Sequence, residues 1–275
     1  MALKHILIHL DKTPHCEKRE RLALALAARY GAHVSAVFAQ ADTDAPMEGL
    51  TTAPGARVPE GAEAAVERLQ QAAEGRGLTV DTRIIPAASY SQLTKHLAYA
   101  VRDSDLAVLG QHDPDHTRGE LPEDLVEQVV LRAGRPALVV PYAGEFEHIG
   151  ERVLIGWNGT REASRALNDA LPLMREAEAV RLLSINPPKE ILEHQEAYNA
   201  SVVRHLQVHG VEAEVVPEPN QNVGVADLLV SRLVDHGSDL LVMGAHGHYG
   251  VPSILRGGVT RDLLRQITVP TLLSH

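Results

Sequence analysis

Short runs of Val, Ile, Leu and Ala alternate with longer amphipathic stretches along the whole chain. In the N-terminal half this pattern predicts strands at 6–10, 34–38, 80–85, 106–109 and 137–140, and helices at 17–30, 60–75, 91–102 and 121–133. In the C-terminal half it predicts strands at 153–157, 180–185, 211–216, 240–243 and 270–273, and helices near 161–175, 189–209, 223–236 and 258–267. Continuous apolar strands separated by helices are typical of a parallel sheet that is covered on both faces.

The two halves repeat one another. The segment 105–110 (DLAVLG) recurs as 239–244 (DLLVMG), 134 positions later, whereas the first strands match at an offset of 147. The first copy therefore carries 13 extra residues (147 − 134), most of which we assign to the stretch 41–61, which lacks periodicity and reads as a loop. Internal repetition predicts two tandem domains, at 1–143 and 151–275.

Composition narrows the class of protein. The chain is 44% hydrophobic and 23% charged, as in ordinary globular proteins, and its net charge of −10 argues against broad nucleic-acid binding. The single cysteine excludes an intrachain disulfide, which suits a reducing compartment. No apolar run approaches the roughly 20 residues of a membrane span, and the N-terminus lacks a signal-peptide core. We therefore expect a cytoplasmic protein without a membrane partner.

Glycines of the second copy lie where ligands bind in open parallel sheets, beyond the carboxyl ends of strands. Gly244 and Gly247 come directly after the strand 240–243, and nine residues separate Gly247 from the pair Gly257-Gly258, which opens the last helix. Glycine lets the backbone approach a ligand closely. Free amides at a helix start attract phosphate, and the hydroxyl of Thr260 would add a donor.

This Gly-x2-Gly-x9-Gly arrangement, followed by Val259 and Thr260, resembles the universal stress protein family, specifically its tandem-domain members, over essentially all 275 residues. The resemblance implies an α/β fold of two Rossmann-like (adenine nucleotide alpha hydrolase-like) domains, each an open five-stranded parallel sheet. It also implies ATP, with or without Mg²⁺, as the ligand. The chain departs from the family pattern at Gly258, where Ser or Thr is usual, and at Asn158, where the nucleotide-binding branch commonly has Asp.

The residues that we expect to contact the nucleotide all lie in the second copy. They are Asn158, Gly244, Gly247, Gly257, Gly258, Val259 and Thr260. In the first copy, acidic residues stand where the second has glycines at 247, 257 and 258. They are Asp113, Glu123 and Asp124. Carboxylates at a helix start satisfy the helix dipole and repel phosphate, so the first copy is predicted to hold a degenerate nucleotide site.

Other candidate groups have simpler explanations. Ordinary turn chemistry is the alternative reading of the glycines. His246 and His248 suggest a metal site, but no accompanying ligand spacing supports one, so no metal is predicted. Cys16 lies near the start of a helix, where a thiol pKa can fall, yet no His or Asn constellation marks it as a nucleophile, and no catalytic residue is predicted. The charged run 17–21 (EKRER) is predicted to be a solvated helix face.

Three functions stay open at this point. The first is a stress-response protein that binds ATP in its second domain and acts as a regulator. The second is a nucleotide-free scaffold or adaptor. The third is a slow ATPase, since the chain lacks the Gly-x4-Gly-Lys-[Ser/Thr] loop of fast phosphate transfer. The resemblance further implies pairing of the two domains through their last strands and a homodimer.

Overall fold

The structure is a computed structural model that describes residues 3–41, 58–87, 89–116, 121–185, 193–216, 218, 224–245 and 258–275. It consists of two compact units, and the division between them falls between Glu147 and His148. Most of the predicted loop at 41–61 lies outside the described residues. Within the described ranges, no helix combines the length and the apolar character that a membrane span requires.

The N-terminal unit is a five-stranded parallel sheet with helices between its strands. Its strands are β1 (His5–Leu10), β2 (His33–Ala41), β3 (Val80–Ala87), β4 (Leu106–Gly110) and β5 (Ala137–Val140). Its helices are α1 (Cys16–Tyr30), α2 (Ala62–Glu74), α3 (Tyr90–Val101) and α4 (Leu125–Ala133). The strand order is β3-β2-β1-β4-β5, and every pair is parallel.

The C-terminal unit has the same topology. Its strands are β6 (Arg152–Trp157), β7 (Ala179–Ser184), β8 (Glu214–Val216), β9 (Leu240–Gly244) and β10 (Thr271–Ser274). Its helices are α5 (Arg161–Met174), α6 (Gln195–Val208), α7 (Val225–Asp235) and α8 (Val259–Leu264). The order β8-β7-β6-β9-β10 places the first strand of the unit at the centre, between its second and fourth. Both units therefore confirm the predicted α/β fold class.

Local chemistry explains where these elements begin and end. The strand β1 is almost entirely buried, since its apolar side chains face helices on both sides of the sheet. The helix α1 buries Leu22, Leu26 and Ala27 and ends at Gly31, whose left-handed backbone (φ 57°) lets its N–H bond the Ala27 carbonyl. The helix α4 begins at residue 125 rather than at the predicted 121, because the chain first makes a turn in which the Leu125 amide donates to the Pro122 carbonyl.

Candidate functional site

A cavity of about 300 Å³ opens at the carboxyl ends of β6 and β9 in the C-terminal unit. These two strands are neighbours in the sheet. After β6 the chain continues to β7 on one side, and after β9 it continues to β10 on the other side. The cavity therefore lies at the switch point, where open α/β sheets bind ligands. Its lining consists of Gly156, Trp157, Asn158, Ile185, Val225, Leu229, Met243, Gly244, Val259 and Thr260. Its volume lies at the lower end of the usual range for small-molecule sites.

Four of the predicted contact residues meet in this cavity. They are Asn158, Gly244, Val259 and Thr260. Gly258 is the N-cap residue of α8, adjacent to the two lining residues of that helix. The other two predicted contacts, Gly247 and Gly257, lie outside the described residues.

Asn158 is held by a turn between β6 and α5. Its side-chain oxygen accepts hydrogen bonds from the Thr160 amide (3.2 Å) and the Thr160 hydroxyl (2.9 Å). Thr160 in turn caps α5, since its hydroxyl oxygen accepts from the Ala163 amide. Because this turn occupies the oxygen of Asn158, the amide nitrogen is the group that Asn158 offers to a ligand.

The two described glycines of the motif have different structural roles. A Cβ on Gly244 would lie 2.5 Å from the Ala163 nitrogen and from the Glu162 carbonyl carbon, so only glycine allows α5 to pack this closely on β9. Among the described residues, which do not include 246–257, nothing lies within 4 Å of a Cβ on Gly258, and its φ of −166° is ordinary extended backbone. Packing against α5 therefore explains Gly244 without a ligand, whereas the described residues around position 258 set no steric requirement for glycine there.

Sequence reasoning did not identify the apolar wall of the cavity. Ile185, Leu229 and Met243 line it together with Trp157 and Gly156. In the sequence these residues lie in or next to apolar strands and helices. Periodicity predicts that such residues are buried, but it does not distinguish a cavity wall from a closed core. Gly156 is the exception, since a glycine within an apolar strand often marks close backbone approach.

The corresponding point of the N-terminal unit is filled by an arginine. Arg19 projects from α1 to the carboxyl ends of β1 and β4, where its Nη2 lies 2.6 Å from Oδ2 of Asp11. A Cβ on Gly110 would overlap the Arg19 guanidinium, so the glycine at the end of β4 makes room for this side chain. Asp11 also accepts from the amide (2.8 Å) and hydroxyl (2.5 Å) of Thr13, the same turn that Asn158 makes in the other unit.

The Arg19–Asp11 pair is fully buried and ionised. Burial is the largest single effect and would raise the pKa of Asp11 and lower that of Arg19, but their mutual attraction, together with hydrogen bonds and other neighbouring groups, outweighs it. The pKa of Asp11 is therefore lowered and that of Arg19 raised. The prediction that residues 17–21 form a solvated helix face is therefore wrong at Arg19. It is also wrong at Glu20, which is buried and accepts two hydrogen bonds from Arg68 of α2.

Two of the acidic residues of the first copy have hydrogen-bond partners within their own unit. Asp124 stands at the N-cap of α4 but makes no capping hydrogen bond, and its carboxylate accepts from the Gln128 side chain. Asp113 is buried in contacts with His15 and His116. Burial raises the pKa of the neighbouring Cys16 thiol to about 12, which disfavours the reactive thiolate.

The geometry defines the C-terminal unit as an open parallel α/β domain with a cavity at its switch point. Residues 151–275 match the family model of the Universal stress protein family. The match covers the C-terminal unit, which is thus similar to the domains of that family. A comparison with curated proteins found no match.

Solved structures share the fold along nearly the whole chain. A universal stress protein from Archaeoglobus fulgidus DSM 4304 is 14% identical with a TM-score of 0.76, over 98% of this chain and 95% of that one. A functionally unknown protein from Pseudomonas aeruginosa PAO1 is 17% identical with a TM-score of 0.59, over 99% and 92%. The cytoplasmic domain of a prokaryotic cation chloride cotransporter is 11% identical with a TM-score of 0.50, over 98% and 95%. At such identities the likeness concerns the fold alone, which hosts different functions.

Proposed function

We propose that the C-terminal unit binds an adenine nucleotide, ATP in particular, and that the protein acts as a regulator in the stress response. The observation that carries this proposal is the cavity at the switch point, in which Asn158, Gly244, Val259 and Thr260 converge. The sheet topology and the sequence motif select these residues independently, which favours a ligand site over unrelated turns.

The lining suits the parts of a nucleoside. Apolar side chains such as Ile185 and Met243 would cover the faces of the base, and the Asn158 amide would donate to the base or ribose. The phosphates would lie toward Thr260 and the start of α8, where the Gly258 backbone is exposed. The described lining offers amide, hydroxyl and apolar groups, which suit binding better than proton transfer, so we propose at most slow ATP hydrolysis.

A nucleotide-free scaffold is the second candidate function. It is favoured by Gly244, whose lack of a side chain is already explained by packing against α5. In this case, the departures from the family pattern at Asn158 and Gly258 would record a site that no longer binds. For either candidate function we propose a cytoplasmic protein whose two domains pair through their last strands. We also propose that two chains form a homodimer, which analytical ultracentrifugation tests.

A calorimetric titration with ATP and Mg²⁺ separates the candidates. We expect one ATP per chain in the wild type. Gly258→Asp copies the carboxylate that the N-terminal unit has at Asp124, and it should weaken binding at least about tenfold, since like charges at close range cost more than ~1.4 kcal/mol outside bulk water.

Gly258→Asn is the matched control, because Asn has the size and helix-capping ability of Asp without its charge. It should bind ATP within about threefold of the wild type, the range expected of a surface change. No heat at millimolar ATP with folded wild-type protein would favour the scaffold. Rapid release of phosphate would favour the enzyme, and equal affinities of the Asp and Asn variants would place the phosphates elsewhere.

A further inference from the structure

Two histidines and a buried aspartate of the N-terminal unit converge on one point. His15 precedes α1, whereas Asp113 and His116 lie in the segment that follows β4. The His15 Nε2 and the His116 Nδ1 each lie 2.8 Å from the same oxygen, Oδ2 of Asp113. One candidate ligand atom from each residue thus falls within 4.8 Å of the others. Neither the nucleotide proposal nor the family match assigns a role to this cluster, which we call the His–Asp–His cluster.

The donor set is that of a divalent transition-metal site. Two imidazole nitrogens and one carboxylate oxygen are ligands that zinc takes in proteins, and they leave a fourth position for water. With bonds of ~2.1 Å, tetrahedral ligand atoms stand roughly 3.4 Å apart, so an outward shift of each ring by a few tenths of an ångström makes room for the ion. Mg²⁺ and Ca²⁺ prefer oxygen ligands and fit this set poorly.

The surroundings hold the carboxylate in place and keep it charged. Asp113 is only 4% exposed, and its second oxygen, Oδ1, accepts a hydrogen bond from the Asp115 amide at 2.9 Å. Burial would raise its pKa, but this hydrogen bond and those from the two histidines outweigh burial, so the pKa of Asp113 is lowered. An outer hydrogen bond of this kind orients a ligating carboxylate.

Access and anchoring differ among the three side chains. The His116 side chain is 50% exposed, so an ion can reach the cluster from solvent on that side. The His15 side chain is 23% exposed and its ring packs against that of Tyr142, with the ring centres 5.9 Å apart. The buried carboxylate and the packed ring form the inner part of the site, which the half-exposed ring of His116 completes.

The second copy lacks this donor set at the matching positions. The repeat offsets place Glu162 opposite His15, and glycines 247 and 250 opposite Asp113 and His116. The first copy therefore has two of the three residues of the His–Asp–His cluster after its fourth strand, at the positions where the second copy has glycines.

From this geometry we propose that His15, Asp113 and His116 bind one divalent transition-metal ion, with zinc as the representative ion. The ion links the start of α1 to the segment after β4, which lies 98 residues further along the chain. The alternative is a cluster held by hydrogen bonds alone, in which each imidazole donates to the carboxylate and no ion binds.

Titration of the intact protein with Zn²⁺, without nucleotide, separates these two possibilities. The expected result is one high-affinity Zn²⁺ per chain and a rise in the thermal unfolding temperature. His116→Gln and Asp113→Asn should each lower the affinity at least about tenfold, since even outer-shell partners of a metal are worth roughly 10–100-fold. Co²⁺ in place of Zn²⁺ should give the visible absorption of a tetrahedral site, and Mg²⁺ should give neither effect.

His205→Gln is the matched control. His205, on the exposed side of α6, and His209, which directly follows that helix, form another histidine pair with ring centres 4.7 Å apart. If that pair holds the zinc, His205→Gln abolishes binding and the proposal is wrong. The proposal also fails if folded wild-type protein binds no Zn²⁺, or if His116→Gln binds it as the wild type does. His116 is half exposed, so this variant decides the matter even if Asp113→Asn does not fold.

Discussion

The switch points of the two units have the same strand order, but a side chain fills the first and a cavity opens at the second. In the N-terminal unit, Arg19 reaches from α1 across the strand ends and pairs with Asp11. In the C-terminal unit, Ala166 stands at the matching position of α5, and a cavity opens beside Asn158. The turn after the first strand is the same in both units, with Thr13 in one and Thr160 in the other. Arg19 on the first helix is therefore one of the side chains that distinguish the two switch points.

Both units have a glycine at the end of their fourth strand, but for different steric reasons. Gly110 leaves space for the Arg19 guanidinium, whereas Gly244 leaves space for the first turn of α5. The two glycines match in the repeat, yet each is required by a different neighbour. A glycine that follows a strand is therefore weak evidence of a ligand until its surroundings are known.

Removal of the arginine should have the largest effect on stability. Arg19→Ala leaves the Asp11 carboxylate buried without its partner, which typically costs about 3–5 kcal/mol in the free energy of unfolding. The double variant Asp11→Asn/Arg19→Ala copies the C-terminal unit and should lose less, because no buried charge stays behind. Urea unfolding measures both variants, and an equal loss in the two would show that the ion pair matters only through its volume.

The two glycines of the C-terminal motif should respond differently to the same change. Gly244→Ala forces the first turn of α5 away from β9, and we expect a loss of about 1–3 kcal/mol, as for an overpacked core. Gly258→Ala places its methyl group where no described residue lies within 4 Å and should change stability by less than about 0.5 kcal/mol. Thermal unfolding of the two variants tests this ranking, and a larger loss at 258 would overturn it.

A buried histidine should make the N-terminal unit sensitive to acid. His9 donates from Nε2 to the Ala39 carbonyl (2.8 Å), and burial lowers its pKa below the ordinary 6.5. Its stabilising contribution is present above pH 6.5 and is lost as the pH falls, because the unfolded chain then binds a proton that the folded one does not. Protonation of this one group changes the free energy of unfolding by at most about 1.4 kcal/mol per pH unit.

Urea unfolding between pH 7 and about pH 5 measures this slope. His9→Gln should flatten the pH dependence, since glutamine does not titrate. An unchanged slope in that variant would assign the acid sensitivity to other groups and would leave His9 without this role.

The smallest effect is expected at the shared turn. Asn158→Asp should keep both hydrogen bonds with Thr160, because Asp11 makes the same two bonds with Thr13. Stability should change by less than about 0.5 kcal/mol, as at other partly exposed positions. Calorimetry of the same variant should show weaker ATP binding than in the wild type, since the carboxylate replaces the amide donor that Asn158 offers to the ligand with an acceptor.

The fold was predictable because its signals are local and repeated. Every predicted strand and helix has a counterpart in the structure, and the internal repeat indicated two domains of one topology. Boundaries were less certain, as at α4, because a turn around Pro122 precedes the first helical hydrogen bonds. The position of Asn158 beside Gly244 and Thr260 also followed from topology, since carboxyl ends of adjacent parallel strands meet at one edge of the sheet.

The filling of the N-terminal switch point was not predicted, although one signal for it exists. Arg19 is three residues before Leu22 and seven before Leu26, so helical periodicity places it on the buried face of α1. The surrounding charges in 17–21 obscured that spacing. Pairing of Arg19 with Asp11, and of His15 with Asp113, depends on contacts between distant segments that composition and periodicity do not encode.

The most direct test of the account is a crystal structure of the protein with a non-hydrolysable ATP analogue and Mg²⁺. We predict one analogue per chain, in the C-terminal cavity between Asn158 and Thr260, with the Arg19–Asp11 pair intact in the other unit. Analogue density between Asp11 and Gly110, with Arg19 displaced, would contradict the account.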